Sequence, residues 1–275
     1  MSLRHTDHEH YAATVGPELR EFLNKRRDLQ FEAALGRALS FYAFVFEDFG
    51  QKASKNKELF PKLGIMLVEL QDAFRGILLG QASLSPVVLA SLARISLEVR
   101  ANLEFVFTRQ EPGFWADRYK RYAEADRLAH DLAKEPGKRL LDEAEIERIK
   151  ELCPEWVHTT RKGELKVLHY WTADESYRSV KSIAGAVGLA HDYQSIYSVT
   201  STFVHGSYLL VTAYRDGDSI RPVGGLKLCK QLAFLAAHHC LSALREASSF
   251  FGVALDELAL GEVQAGLRSS CRELL

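Results

Sequence analysis

Almost nothing in this sequence pulls it toward a charged partner: 35 Lys and Arg residues stand against 36 Asp and Glu, a formal charge of −1. A chain this close to neutral has no global field to gather nucleic acid or an anionic membrane, so such a contact would need a local patch. No apolar run reaches the roughly 20 residues of a bilayer-spanning helix. The opening stretch Met1 to His10 also lacks the apolar core of a secretory signal. A cytoplasmic protein without membrane contact is therefore expected. The four cysteines, Cys153, Cys229, Cys240 and Cys271, form no Cys-x-x-Cys pair and no zinc-ligand spacing, which predicts reduced, buried thiols and no disulfide. Dinucleotide, Walker, H-E-x-x-H and G-x-S-x-G motifs are all missing, and Asp48-Phe49-Gly50 matches a kinase tripeptide by coincidence alone. No cofactor and no metal site follows. His5, His8 and His10 read as solvated side chains at a terminus that lacks the second shell a metal site needs.

What the sequence has in quantity is helical periodicity. With 275 residues and 47% hydrophobic composition, it is long enough for a full core, and the pattern predicts a flexible stretch over 1–16 and one all-α, multi-helix bundle over 17–275. Pro17 opens the helical pattern. Amphipathic segments follow over 31–52 and 60–79, the latter stopped by Gly80, then over 87–108 with Ser85 as N-cap and Pro86 in the first turn. Further helices are expected over 114–134, 140–152, 176–187, 193–205, 226–251 and 254–275. The region 153–163 reads as a loop, a lid or an insertion. One short β-hairpin is expected near 208–223, on the turn signal Asp216-Gly217. Helix 226–251 is long and apolar enough to exceed what one bundle covers, and helical proteins often pair symmetrically, so a homodimer is expected.

Two polar rows interrupt this apolar pattern. In the segment 193–205, Tyr193, Tyr197, Ser201 and His205 recur at every fourth residue, and Gly206 follows, so the His205 imidazole would lie in a last turn whose unpaired carbonyls favour a cation. In the segment 87–108, Arg94, Glu98 and Asn102 share the same spacing beside an apolar row of Val88, Leu92, Ile95, Val99 and Val106. The two rows are expected to face each other across a cleft. Either row has a plainer reading: a solvated Arg–Glu pair, and a serine bonding back to its own helix carbonyl. Arg118, Tyr119 and Tyr122 lie in a basic, tyrosine-bearing stretch that reads as a solvated surface with one inward tyrosine. Of the adjacent His238 and His239, one should be exposed and the other a satisfied core residue.

Arg94-x3-Glu98-x3-Asn102, Arg118-Tyr119 and Tyr197-x3-Ser201-x3-His205, in that order over about 60–210, resemble a bacterial family of helical proteins of unknown function. That family is in turn distantly similar to the HEPN superfamily of helical bundles, which includes dimeric, metal-independent ribonucleases of toxin and anti-phage systems. Two functional classes follow from the polar rows and the resemblance together. One is a ligand-binding or interaction module of a stress or defence system, in which the polar rows, with Glu98, Asn102, Arg118, Tyr119, Tyr193 and Tyr197, meet a small-molecule ligand or fix helix register as a buried hydrogen-bond network. The alternative is a ribonuclease acting on RNA, with His205, Arg94 and Ser201 as its catalytic candidates. The HEPN spacing of an Arg four to six residues ahead of the His is absent before His205, so the cation would come from Arg94 or from a second subunit.

Overall fold

The computed structural model describes residues 21, 28–52, 60–109, 112–133, 143–159, 165–167, 172, 176–177, 179–204, 215–216, 219–220 and 225–271. The chain is all-α, a helical bundle. Among the described residues there are nine helices: α1 (Leu29–Lys52), α2 (Phe60–Ala82), α3 (Pro86–Arg109), α4 (Pro112–Ala133), α5 (Glu143–Leu152), α6 (Val180–Ala186), α7 (Ala190–Val204), α8 (Leu226–Phe251) and α9 (Glu257–Ser269). None is long and apolar enough to cross a membrane. The stretches before residue 21, including His5, His8, His10 and Pro17, lie outside the described residues.

Helix α8 is the axis. It packs on α1, α2, α3 and α9, and its buried residues, among them Cys229, Leu232, Ala236, Leu244 and Ala247, form one broad inward face. The four neighbouring helices cover that face, while Leu228, Phe234 and Leu235 of α8 line an apolar pocket with Val199. Aromatic stacking closes one end of the bundle, where Phe107 lies 4.4 Å from Phe250 and Phe49 meets Phe251 edge-on at 5.8 Å. Buried hydroxyl and thiol groups bond to carbonyls of a neighbouring helix: Tyr42 Oη donates to Leu67 O at 2.8 Å and the Cys240 thiol to Leu70 O at 3.7 Å. At the other end the Asp28 carboxylate caps α1 by accepting from the Phe31 amide at 2.9 Å, and its second oxygen meets Lys230 Nζ at 2.6 Å. All four cysteines are free and buried.

Three departures from the sequence reading have clear physical causes. Gly80 does not stop α2, which runs on to Ala82. A Cβ at Gly80 would lie 3.1 Å from Leu89 and one at Gly76 would lie 3.0 Å from Leu92, so both glycines let α2 and α3 approach closely. The expected apolar row of α3 is split. Val99 and Val106 are buried, but Val88 and Ile95 are exposed, and the core face of the helix is instead Leu89, Ala93, Leu97 and Leu103. Region 153–163 is not irregular throughout. After a 3₁₀ turn (Pro154–Trp156), β1 (Val157–Thr159) pairs antiparallel with β2 (Leu165–Val167), a hairpin the sequence did not predict. The expected hairpin is also present but minimal: β3 (Arg215–Asp216) pairs with β4 (Ser219–Ile220), leaving only residues 217 and 218 between the strands.

Candidate functional site

Helices α6 and α7 meet at an elbow formed by Val187, Gly188 and Leu189. Gly188 takes φ +79°, a left-handed conformation that glycine adopts without strain, and the chain turns there from α6 into α7. Ser179 caps α6 by accepting from the Ser182 amide, while the Ser182 side chain returns the bond to the Ser179 amide. Both helices pack on α3, and this brings one polar row of the sequence against the other.

The centre of that contact is the Glu98 carboxylate. One of its oxygens accepts from Arg94 Nε at 2.8 Å, one turn earlier on α3, and from the Tyr197 hydroxyl of α7. The Arg94 guanidinium carbon also lies 4.3 Å from the centre of the Tyr197 ring, which stacks on Tyr193 at 3.9 Å. Burial, and then the hydrogen bond and negative charge of Glu98, push the Tyr197 phenol well above its ordinary range, so it remains a donor at any physiological pH. The hydrogen bond to Glu98 likewise holds the Arg94 guanidinium above its ordinary value. The cluster is thus a fixed carboxylate–guanidinium–phenol unit whose phenol and guanidinium both keep their protons near neutrality.

The remaining candidates divide. Asn102 is on α3 as expected but not on α7's side of the cluster: its amide donates to the Glu98 backbone carbonyl at 2.8 Å, and its oxygen accepts from Thr172. Thr172 is fully buried and no periodicity marked it, because it lies outside any helix. Ser201 is exposed, on the open side of α7 rather than at the cluster. Arg118 corrects the surface reading, being only 3% exposed, with its guanidinium 5.6 Å from the Trp115 ring. It and Tyr119 belong to α4, which contributes no residue to the groove described next. His205 lies outside the described residues, as does Trp171.

Beside the cluster, α6 and α7 enclose a groove of about 780 Å³. Tyr193, Gln194, Tyr197 and Ser201 line one wall, with Lys181 and Ser182 on the other. Lys181, Gln194 and Ser201 are exposed and make no hydrogen bond or ion pair among the described residues, and no carboxylate of the described residues lines the groove. It therefore presents aromatic rings, unengaged hydroxyl and amide groups and one ammonium. Among the described residues no cluster of three or more His, Cys, Asp or Glu could hold a metal ion.

A second polar cluster escaped the sequence reading. Arg100 and Glu104 pair at 2.6 Å on the core side of α3, and the same guanidinium donates to His239 Nδ1 of α8 at 3.1 Å. Because arginine only donates, Nδ1 must carry the lone pair and Nε2 the proton, and that buried Nε2 has no hydrogen-bond partner. Burial first, then the charges of Arg100 and His238, depress the His239 pKa to about 3. Neither histidine behaves as the sequence suggested. His238 is half-buried rather than exposed, and His239 is a core residue with one nitrogen unsatisfied.

No curated protein and no solved structure matches the chain. A family comparison does: residues 67–220, running from α2 to the end of β4 and taking in both polar rows and the whole groove, match the family of unknown function DUF5677, and the chain belongs to that family.

Proposed function

We propose that the protein is a ligand-binding module whose working surface is the groove between α6 and α7. The observation that carries this reading is the set of unengaged groups that line it, Lys181, Gln194 and Ser201, beside a tyrosine pair whose orientation is fixed from behind by Glu98 and Arg94. A site of this make-up suits a small planar molecule bearing an acidic group, which would stack against tyrosine and place its charge on Lys181. The Glu98 cluster positions the rings and does no chemistry, since burial and Glu98 keep the Tyr197 phenol protonated. The module works in the cytoplasm, where four buried thiols stay reduced, and its macromolecular partner is a second copy of itself.

The test is thermal denaturation with a panel of aromatic carboxylates and aromatic phosphates at millimolar concentration. A ligand of the groove raises the midpoint of the wild type and leaves the Lys181→Glu and Tyr193→Ala variants unmoved. If no compound shifts the wild type, or if those variants respond as the wild type does, the reading fails. A second reading, a metal-independent ribonuclease using His205, draws on one observation: the partly exposed Arg94 guanidinium lies against Tyr197 of α7, eight residues before His205 in the sequence. There the RNA 2′-hydroxyl would attack its own phosphate, with His205 moving the proton and Arg94 offsetting the charge. Cleavage of RNA in EDTA that disappears in His205→Ala would establish it.

A further inference from the structure

Large hydrophobic side chains left in water are common singly and informative only when they gather. Among the described residues Leu29 and Phe44 are exposed on α1, Phe114 on α4 and Leu258 on α9. Six others share one feature: Ile65, Val68 and Leu79 on α2, and Val87, Val88 and Ile95 on α3. Because α2 and α3 form an antiparallel hairpin closed by the Gly76–Leu92 and Gly80–Leu89 contacts, each helix turns these residues away from the core. On α2 the core side is Leu63, Leu67, Leu70, Phe74 and Ile77, and the exposed residues fall half a turn from it.

The α2 residues have a further order. Ile65, Val68, Asp72, Arg75 and Leu79 follow one another at intervals of three and four, the spacing of a helix-pairing seam. Over the 65–79 stretch the seam is about 21 Å long. At its middle is the one charged pair, Asp72 and Arg75, mutually bonded at 2.9 Å and each more than half exposed. If two copies of α2 lie antiparallel so that Asp72 of one meets Arg75 of the other, the register also sets Val68 opposite Leu79. The four central seam positions then find complements within the seam, apolar against apolar and acid against base, and Ile65 falls opposite Ala82 at its end. A sequence that is complementary to itself when reversed is what a two-fold interface requires, and that self-complementarity is what selects a second copy over any other occupant.

We infer that the outer face of the α2–α3 hairpin is a homodimer interface, built on an antiparallel α2–α2 seam with the dyad between Asp72 and Arg75, and flanked by Val87, Val88 and Ile95. The seam helix α2 contributes no residue to the α6–α7 groove, so the inference stands or falls separately from ligand binding. In the dimer the single Asp72–Arg75 pair of each protomer joins that of its partner in a ring of four alternating charges, and Leu79, 71% exposed in the single chain, is covered.

Sedimentation of the full chain at micromolar concentration tests this. The wild type should sediment as two 30.9 kDa chains. Asp72→Arg sets cations against cations across the dyad and should raise the dissociation constant on the order of 100-fold, as should Arg75→Asp with its facing acids. The double variant Asp72→Arg/Arg75→Asp restores complementarity and should restore the dimer. Mixing the two single variants should yield a heterodimer that neither forms with itself. All of these positions face solvent, and circular dichroism with a thermal midpoint close to the wild type confirms that each variant is folded. A wild type that remains monomeric, a dimer indifferent to Asp72→Arg, or single variants that fail to pair when mixed would each overturn the inference.

Discussion

Helix α3 carries two arginine–glutamate pairs with the same spacing, and they could hardly be more differently placed. Arg94–Glu98 lies at the edge of the molecule, with 42% and 23% of the side chains exposed, and its third member is a tyrosine. Arg100–Glu104, six residues on, is 14% and 13% exposed between α3 and α8, and its third member is a histidine. Six residues are 600° of helical rotation, so the second pair points about 120° away from the first. Identical local chemistry therefore does two jobs. At the surface the pair orients an aromatic wall of a groove, and in the core it fills a polar hole between α3 and α8 in which one nitrogen, His239 Nε2, stays without a partner. For Glu104 the cost of that hole is visible. Burial raises its pKa, and Arg100 recovers only part of the loss.

The largest effect expected from breaking this contrast is in the core. Glu104→Ala leaves the Arg100 guanidinium between α3 and α8 with only the neutral His239 nitrogen as acceptor. Losing one partner of a buried pair costs about 3 to 5 kcal/mol, and the slight exposure of this one puts the expectation at about 3. Urea denaturation should show it as a lower midpoint with an unchanged slope. A change below about 1 kcal/mol would mean that water reaches Arg100 easily and that the pair is not a core element.

A pH series separates the two clusters next. Folded His239 titrates at about 3 and its model value is 6.5, so the folded state binds its proton far more weakly than the unfolded chain does. The stability this contributes is intact above pH 6.5 and is lost as pH falls toward 3, with a slope of at most about 1.4 kcal/mol per pH unit. Between pH 7 and 5 the loss should reach about 2 kcal/mol. His238, also depressed, adds to it, and Glu104, whose pKa is raised, opposes both. His239→Gln keeps an acceptor for Arg100 and removes the titration, so its stability should vary less with pH over that range. An unchanged profile in that variant would assign the acid sensitivity to other groups.

How much of this could be read beforehand follows from the kind of signal each feature leaves. Long helices announce themselves through periodicity, and α8 was readable to the residue. The facing of Glu98 and Tyr197 was also legible, because two rows of matched spacing on two helices predicted it. Spacing says nothing, however, about which side of a helix is covered. The row Val88, Leu92, Ile95 looked like core and is half surface, while Arg100 and Glu104, spaced as well as Arg94 and Glu98, went unremarked because charged residues are presumed solvated. Arg118 misled for the same reason. Thr172 lies in no periodic segment, and the wall of the groove that α6 provides, Lys181 and Ser182, shows only as a helix start. Gly80 reads in sequence as a stop signal because glycine often ends helices, yet here it serves close packing, a distinction that depends on Leu89 nine residues away.

A third prediction moves back to the surface cluster. Glu98→Ala removes the acceptor shared by Arg94 and Tyr197 and leaves a phenol that is half-buried without its bond, a loss of about 1 to 3 kcal/mol. The consequence for the groove is sharper than for the fold. Tyr197 and Tyr193 lose the carboxylate that sets their stack, so ligand affinity should fall further than overall stability. Equal losses in both would make the cluster a structural network alone.

The smallest effect, and the finest test of the contrast, comes from Arg94→Lys. An ammonium preserves the charge beside Glu98 but gives up the planar contact with Tyr197, whose ring lies 4.3 Å from the Arg94 guanidinium carbon. Since the Arg94 side chain is 42% exposed, water screens most of the ion pair, and the expected change is about 0.5 kcal/mol or less. The matching substitution at Arg100 should cost several times as much, because a lysine there cannot serve Glu104 and His239 Nδ1 together from one planar fork. The ratio of the two losses, taken on a single helix with the same substitution, measures how far burial rather than residue identity sets the worth of an arginine–glutamate pair. A ratio near one would mean that α3 has no effective inside and outside in this region, and the division of the molecule into a groove wall and a polar core would fail with it.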